Sequence, residues 1–519
     1  MAVQLVWFKK DLRTTDHRPL LQASQAGQCL CVYVLEPEQL SSDDMDIRHL
    51  RFLHESLEQL DQRLQQLGTR LVVLQGQLPE VFEELRHRGE IAKIWGHEET
   101  GNFLSYQRDR RVRAWARAAS IPVTEIPQTG VVRRLASRDG WSANWRQRMR
   151  SPIAAEPRRI PCGAAAVFGD PFHPSMIPQH LQPRHPLFTL AATDQGCLAN
   201  PDFIQRGGWQ NALDCLDSFL ATRGAAYRQS MSSPLTGESG CSRLSPYLAF
   251  GNLSVRQVVQ RSRERLLGVR EELQTGRPVE RTWLQALSSF ESRLNWHCHF
   301  MQKLEDEPLL EFQNVNRAFD GLREDEFRED WFEAWQGGRT GYPMVDACMR
   351  ALRQTGWINF RMRAMLMSFA AYHLWLHWRR PALWLARQFT DYEPGIHYSQ
   401  CQMQSGVTGI NTIRIYSPAK QARDQDPAGL FIRRWIPELE GVPDEWLAEP
   451  HKMSAFQQTL FGCRIGVDYP QPIVDHETAY RTARDRIFAA RSTPEARRQA
   501  AAVYEKHGSR RRPLTDGNR

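Results

Sequence analysis

A chain of 519 residues is too long for one hydrophobic core, so two or three domains are expected. Its 41% hydrophobic and 24% charged residues exclude a disordered chain, and no apolar run reaches the roughly 18 residues that a transmembrane helix needs. The formal charge of +8 is concentrated: residues 101–160 hold 13 arginines against Asp109, Glu125, Asp139 and Glu156. Interleaved with Trp115, Trp141 and Trp145, these arginines suit either a phosphate track or a solvated surface, and the stripe alone favours the surface. The ten cysteines are scattered without a CxxC pair. With no signal peptide, they read as reduced cytoplasmic thiols and point to no metal.

In chain order, residues 1–130 alternate short apolar strands with amphipathic helices. Strands are expected at 5–8, 29–34, 71–74, 92–95 and 123–126. A helix is expected at 46–67, where Leu50, Leu57, Leu60 and Leu64 share a face. This alternation predicts a Rossmann-like, doubly wound parallel sheet. Neither GxGxxG nor a P-loop follows the first strand. Periodicity is lost over 131–203, where eight prolines from Pro152 to Pro186 suggest a long connector. Residues 204–500 turn helical and aromatic, and 501–519 read as a basic tail.

Three stretches carry a resemblance across most of the chain. The first is Leu5-Val6-Trp7-Phe8-Lys9-Lys10-Asp11-Leu12-Arg13, followed by Asp16, Pro19 and Leu20; the second is Gly240-Cys241-Ser242-Arg243-Leu244-Ser245-Pro246-Tyr247-Leu248-Ala249-Phe250-Gly251-Asn252-Leu253-Ser254. The third runs from 338 to 439 and includes Arg339-Thr340-Gly341-Tyr342-Pro343, Arg414-Ile415-Tyr416-Ser417-Pro418 and Arg433-Arg434-Trp435-Ile436-Pro437. In order and spacing they are similar to the photolyase/cryptochrome family. The resemblance implies an N-terminal α/β antenna domain and an all-helical C-terminal domain that binds FAD.

Physically, a Ser-Arg-Leu-Ser segment at a helix start offers hydroxyls and free N–H groups to a pyrophosphate. The resemblance assigns Ser242, Arg243, Leu244 and Ser245 to the FAD phosphates, with Tyr227 closing the site. Around the flavin ring it places Trp296, Phe360, the ion pair Arg363–Asp391, Glu393 in place of an aspartate, and His397 facing N5. Histidine is the side chain that ordinarily titrates near neutrality. The implied catalytic set is His397, Arg363, Asp391, Cys298 and Asn359.

Two of these depart from the family pattern. Cys298 stands where cyclobutane-dimer photolyases carry a glutamate, and Asn359-Phe360-Arg361 replaces a His-Asn-Arg triplet. Cysteine cannot replace a carboxyl as a hydrogen-bond partner. Trp378 matches the middle member of the family's electron-transfer tryptophans, but Cys401 replaces the flavin-proximal one, with Trp375 and Trp384 as other candidate steps. The first reading is therefore light-driven repair of pyrimidine dimers in DNA by reduced FAD. The second is a photoreceptor without repair. A second chromophore, deazaflavin or folate, has no residues that select it; a monomer is expected.

Overall fold

The computed structural model describes residues 2–169, 172–193 and 204–509. Five parallel strands, β1 (Val3–Phe8), β2 (Cys29–Leu35), β3 (Leu71–Gln75), β4 (Ile91–His97) and β5 (Val123–Ile126), pair in the order β3-β2-β1-β4-β5. All five expected strands are present, with ends moved by at most two residues. The central strands read as continuous apolar runs because helices cover both faces, leaving β1 and β2 almost wholly buried. The expected helix runs over Ile47–Gln66. Asp46 starts it by accepting from the Arg48 N–H, and His49 reaches back to the Asp46 N–H to complete a capping box.

The 131–203 stretch is more than a connector. A helix over Trp141–Arg150 drives Trp141, Trp145 and Met149 into a core shared with Phe219, Phe290 and Leu294. Some arginines of the 101–160 stripe are also internal. Arg108 pairs with Glu36, Glu99 and Asp109; Arg113 and Arg133 pair with Glu125; Arg138 pairs with Asp306. These four arginines are framework, while eight of the thirteen in the stripe are exposed, open to solvent or to a phosphate track. At the C-terminus a helix continues over Pro494–His507, docked by His507 on Glu307 at 2.8 Å, so the first seven residues of the expected tail are helical. Residues 510–519 lie outside the described residues. Among those described, no helix is long and apolar enough to cross a membrane.

Beyond residue 204 the described elements are helices, packed around an apolar core that runs from Leu304 to Tyr469. Part of the third motif serves this packing. The Asp346 carboxylate accepts from the Thr340 N–H and hydroxyl, the Gly341 N–H and the Tyr469 hydroxyl, at 2.6–3.0 Å.

The first and second motifs lie against each other. The loop leaving β1 donates from the Leu12 N–H to the Phe250 carbonyl and from Arg13 to the Gly251 carbonyl. Asp16 accepts from Ser254 and Arg256 at 2.6 and 2.9 Å. This joint depends on Gly251, whose φ is +71° and whose added Cβ would stand 2.3 Å from the Lys10 carbonyl oxygen. Gly251→Ala should cost about 2 kcal/mol, from left-handed strain and from prising the loop away. A lowered urea midpoint would register it, and an unchanged midpoint would refute it.

Candidate functional site

Two positions of the helical unit form the ion pair expected from sequence. The helix Phe360–Ser368 projects Arg363 across to Asp391, which follows the helix Arg379–Gln388. The pair is bidentate, at 2.9 and 2.8 Å, and the guanidinium lies 4.0 Å over the Phe389 ring. Burial alone would raise the Asp391 pKa, but the Arg363 charge and hydrogen bonds from Arg363 and Ser245 hold it below the usual carboxylate range. Ser245 of the second motif is thereby tied to the ion pair. The two partners differ in access: Asp391 is 3% exposed at its side chain, and Arg363 is 27% exposed.

The rest of the second motif turns on Arg243, whose φ of 60° is unusual for a residue with a side chain. Its guanidinium stacks 4.0 Å over Trp357 and donates to Gln205. Ser242 is half-buried and Leu244 is packed in the core. Tyr227 is buried against Phe219 and Phe290, with its hydroxyl bonded to Arg293. Arg293 in turn lies 4.7 Å over Phe360, an aromatic ring that is 44% exposed. Trp296 is half-buried and stacked on Phe300.

Glu393 sits on a small cavity of about 30 Å³ between the sheet and the helices, bordered also by Lys10, His297 and Met301. Burial pushes its pKa up to about 7, against the pull of Lys10. The Lys10 ammonium is 3.7 Å away, an ion-pair contact too long for a hydrogen bond, and Glu393 Oε1 has no hydrogen-bond partner. An orphaned carboxylate oxygen is a costly feature unless a ligand supplies a donor. Sequence reasoning missed Lys10 and His297 here. The only available signal was the spacing of Arg293, His297 and Met301 on one helix.

Three candidates are buried. Cys298 has no exposed surface and packs under Trp145 and Gly130, its pKa raised by burial, so it is a core residue. Asn359 donates its amide N–H groups to the Met231 and Ser232 carbonyls, while its buried Oδ1 has no hydrogen-bond partner. His397 turns its Nε2 to the Ala382 carbonyl at 2.7 Å, and burial lowers its pKa to about 4. The carbonyl bond favours the protonated ring, but burial outweighs it, so this imidazole is neutral across the physiological range rather than poised near neutrality. Trp378 is fully buried, donates to Asn314 and touches Tyr398. Trp384 packs on Trp335, while Trp375 lies beneath Arg323 and Arg486.

Two other features of the sheet bear on ligands. At the carboxyl ends of β1 and β4, where a doubly wound sheet reverses its order and commonly binds ligands, the buried charges of Lys9, Arg108 and Asp109 fill the space. Beside them, His17 and His97 both approach Asp11 Oδ2, at 3.0 and 2.8 Å. Both rings are spent on that carboxylate, so hydrogen bonding accounts for the cluster without an ion.

An FAD molecule fits the residues around Arg363. They supply a half-open guanidinium, an unpartnered carboxylate oxygen and polar groups from the second motif. Comparison with known proteins points the same way. Residues 290–489 match the family model "FAD binding domain of DNA photolyase", and residues 4–137 match "DNA photolyase". The chain is 29% identical to a cryptochrome DASH of Gloeobacter violaceus, covering 98% of this chain and 97% of that protein. It is 28% identical to a deoxyribodipyrimidine photo-lyase of Agrobacterium fabrum, covering 94% and 97%. A crystal structure of a class III photolyase from Agrobacterium tumefaciens superposes with a TM-score of 0.77 at 26% identity, covering 95% of this chain and 98% of that one.

Proposed function

The chain belongs to the photolyase/cryptochrome family, and we propose that it is a DNA photolyase that holds FAD beside Arg363 and Asp391 and splits UV-induced pyrimidine dimers in light. When bound, FAD supplies the light absorption and the electron. The protein's part is binding and electrostatics. Arg363, paired with Asp391, would stabilise negative charge in the site, and the orphaned Glu393 oxygen would accept from a ring N–H. Ser242, Arg243 and Ser245 border the phosphates, Trp296 and Tyr227 shape the pocket, and neutral His397 lends no charge to it.

The observation that carries the repair reading is Phe360. Phe360 is a 44% exposed phenyl ring with Arg293 on one face. It offers a stacking platform for an extruded base next to a cation for its phosphate. Cys298 favours the second reading, a photoreceptor, because no carboxylate reaches the site from its position.

Protein loaded with FAD and chemically reduced would be illuminated with oligonucleotides carrying a cyclobutane dimer or a (6-4) lesion. Light-dependent loss of either lesion, weakened in Phe360→Ala, is the expected result. Persistence of both lesions with a photoactive flavin would leave the photoreceptor.

A further inference from the structure

Cys401 stands where the family pattern has the flavin-proximal tryptophan, yet aromatic rings connect the site to Trp378. The His397 ring lies 5.3 Å from both Tyr392 and Tyr398, between centroids. Tyr398 lies 6.3 Å from Tyr392 and 6.3 Å from Trp378. Tyr392 follows Asp391 directly in the chain, so the relay begins one residue from the ion pair.

The two hydroxyls are tied to one acid. Tyr392 donates to Asp44 Oδ2 at 2.7 Å, and its oxygen lies 3.2 Å from that of Tyr398. With the single Tyr392 proton committed to Asp44, Tyr398 supplies the proton between the hydroxyls. Asp44 is 5% exposed and comes from the sheet side of the molecule. Ser42 and Asn102 also donate to it, at 2.6 and 3.1 Å. Burial works against its ionisation, but these hydrogen bonds prevail and keep its pKa low.

We propose that Tyr392 and Tyr398, with Asp44 as proton acceptor, form an internal electron-donating relay that takes the place of the missing tryptophan. One electron leaves the Tyr392 phenol for the light-excited, oxidised flavin. The phenol proton moves along the existing hydrogen bond to the Asp44 carboxylate. Tyr392 becomes a neutral phenoxyl radical and Asp44 a carboxylic acid, so the pair goes from −1 to neutral and the negative charge it loses is the electron passed to the flavin. Tyr398 and then Trp378 pass the vacancy onward. An oxidised phenol is a strong acid, so a carboxylate already hydrogen-bonded to it removes the main barrier to its oxidation. A tyrosine pair serving packing alone would need no ionised acid at its hydroxyls.

The relay rests on the flavin reading, and the test separates the two. The full-length protein, carrying oxidised FAD, is illuminated with blue light and examined by electron paramagnetic resonance, with and without ring-deuterated tyrosine. A tyrosyl signal that narrows on deuteration is expected, lost in Tyr392→Phe and retained in Trp378→Phe. Asp44→Asn should suppress the signal or delay it. Flavin absorbance and thermal unfolding of each variant show that the site and fold persist. A flavin-loaded protein giving only a tryptophanyl signal, or a tyrosyl signal indifferent to Tyr392→Phe and Tyr398→Phe, would overturn the relay. A purified protein that takes up no flavin would overturn the flavin reading, and the relay with it.

Discussion

Arg363→Ala is expected to lower stability by about 3 kcal/mol, near the low end for breaking a buried pair, and to abolish FAD retention on purification. The reason is the asymmetry of the pair. Asp391 is buried to 3% exposure and would be left with only Ser245 as a polar side-chain partner. Water reaching the half-open Arg363 position offsets part of that loss. Asp391→Asn should be milder, because it removes the buried charge instead of stranding it, and the double variant Arg363→Gln/Asp391→Asn should recover much of the stability. The acid limb of the stability curve adds an independent sign. A carboxyl with a depressed folded pKa stabilises the fold above its unfolded pKa and loses that contribution as pH falls through the folded value. Wild type should therefore lose stability in acid that Arg363→Ala never had. Urea midpoints at neutral and acid pH check this, and equal midpoints for wild type and Arg363→Ala would refute it.

The sheet was legible because its strands are covered on both faces and separated by helices with a regular leucine stripe. The helix Trp141–Arg150 was not, although Trp141, Trp145 and Met149 are spaced four residues apart. The prolines that follow it in 152–186 gave the whole stretch the look of a loop, and arginines on the exposed side masked the apolar face. The same masking made framework arginines resemble a phosphate track, since nothing local in sequence tells that Arg133 will meet Glu125.

In the site, Arg363 and Asp391 were found through the family pattern, since a pair 28 residues apart leaves no local signature. Cys298 was misjudged through helix phase. The helix Thr282–Asp306 is buried on several sides, and one residue along it turns a side chain by about 100°. His297 thus borders the cavity while Cys298 enters the core. His397 failed differently. Its expected behaviour assumed solvent-like conditions, whereas burial holds the ring neutral despite its bond to a carbonyl. The joint between the first two motifs, and Lys10 beside Glu393, required the fold itself.

Glu393→Gln should raise the stability of the flavin-free protein at pH 8 by up to about 3 kcal/mol, while weakening FAD binding. Burial holds the Glu393 pKa near 7 in the folded chain, above its ordinary value of 4.5. Between those values the folded protein binds the extra proton, so its stability falls as pH rises through this window. Above about pH 7 the full cost of a buried, half-paired carboxylate is present. Glutamine is uncharged and nearly the same size, so the variant should lack that decline. Glu311, also near 7, titrates in both proteins and drops out of the comparison. For FAD the sign reverses. A ring N–H donating to Glu393 favours the ionised form, so wild-type affinity should increase as pH rises towards 7 and above, and the variant's should not. Chemical unfolding of the flavin-free protein and flavin titration between pH 5 and 8 report the two halves separately. A variant no more stable than wild type at pH 8 would mean that the cavity hydrates Glu393 well enough to ionise without cost. Parallel affinity profiles would remove Glu393 from the flavin site and leave Arg363 and Asp391 as its charged core.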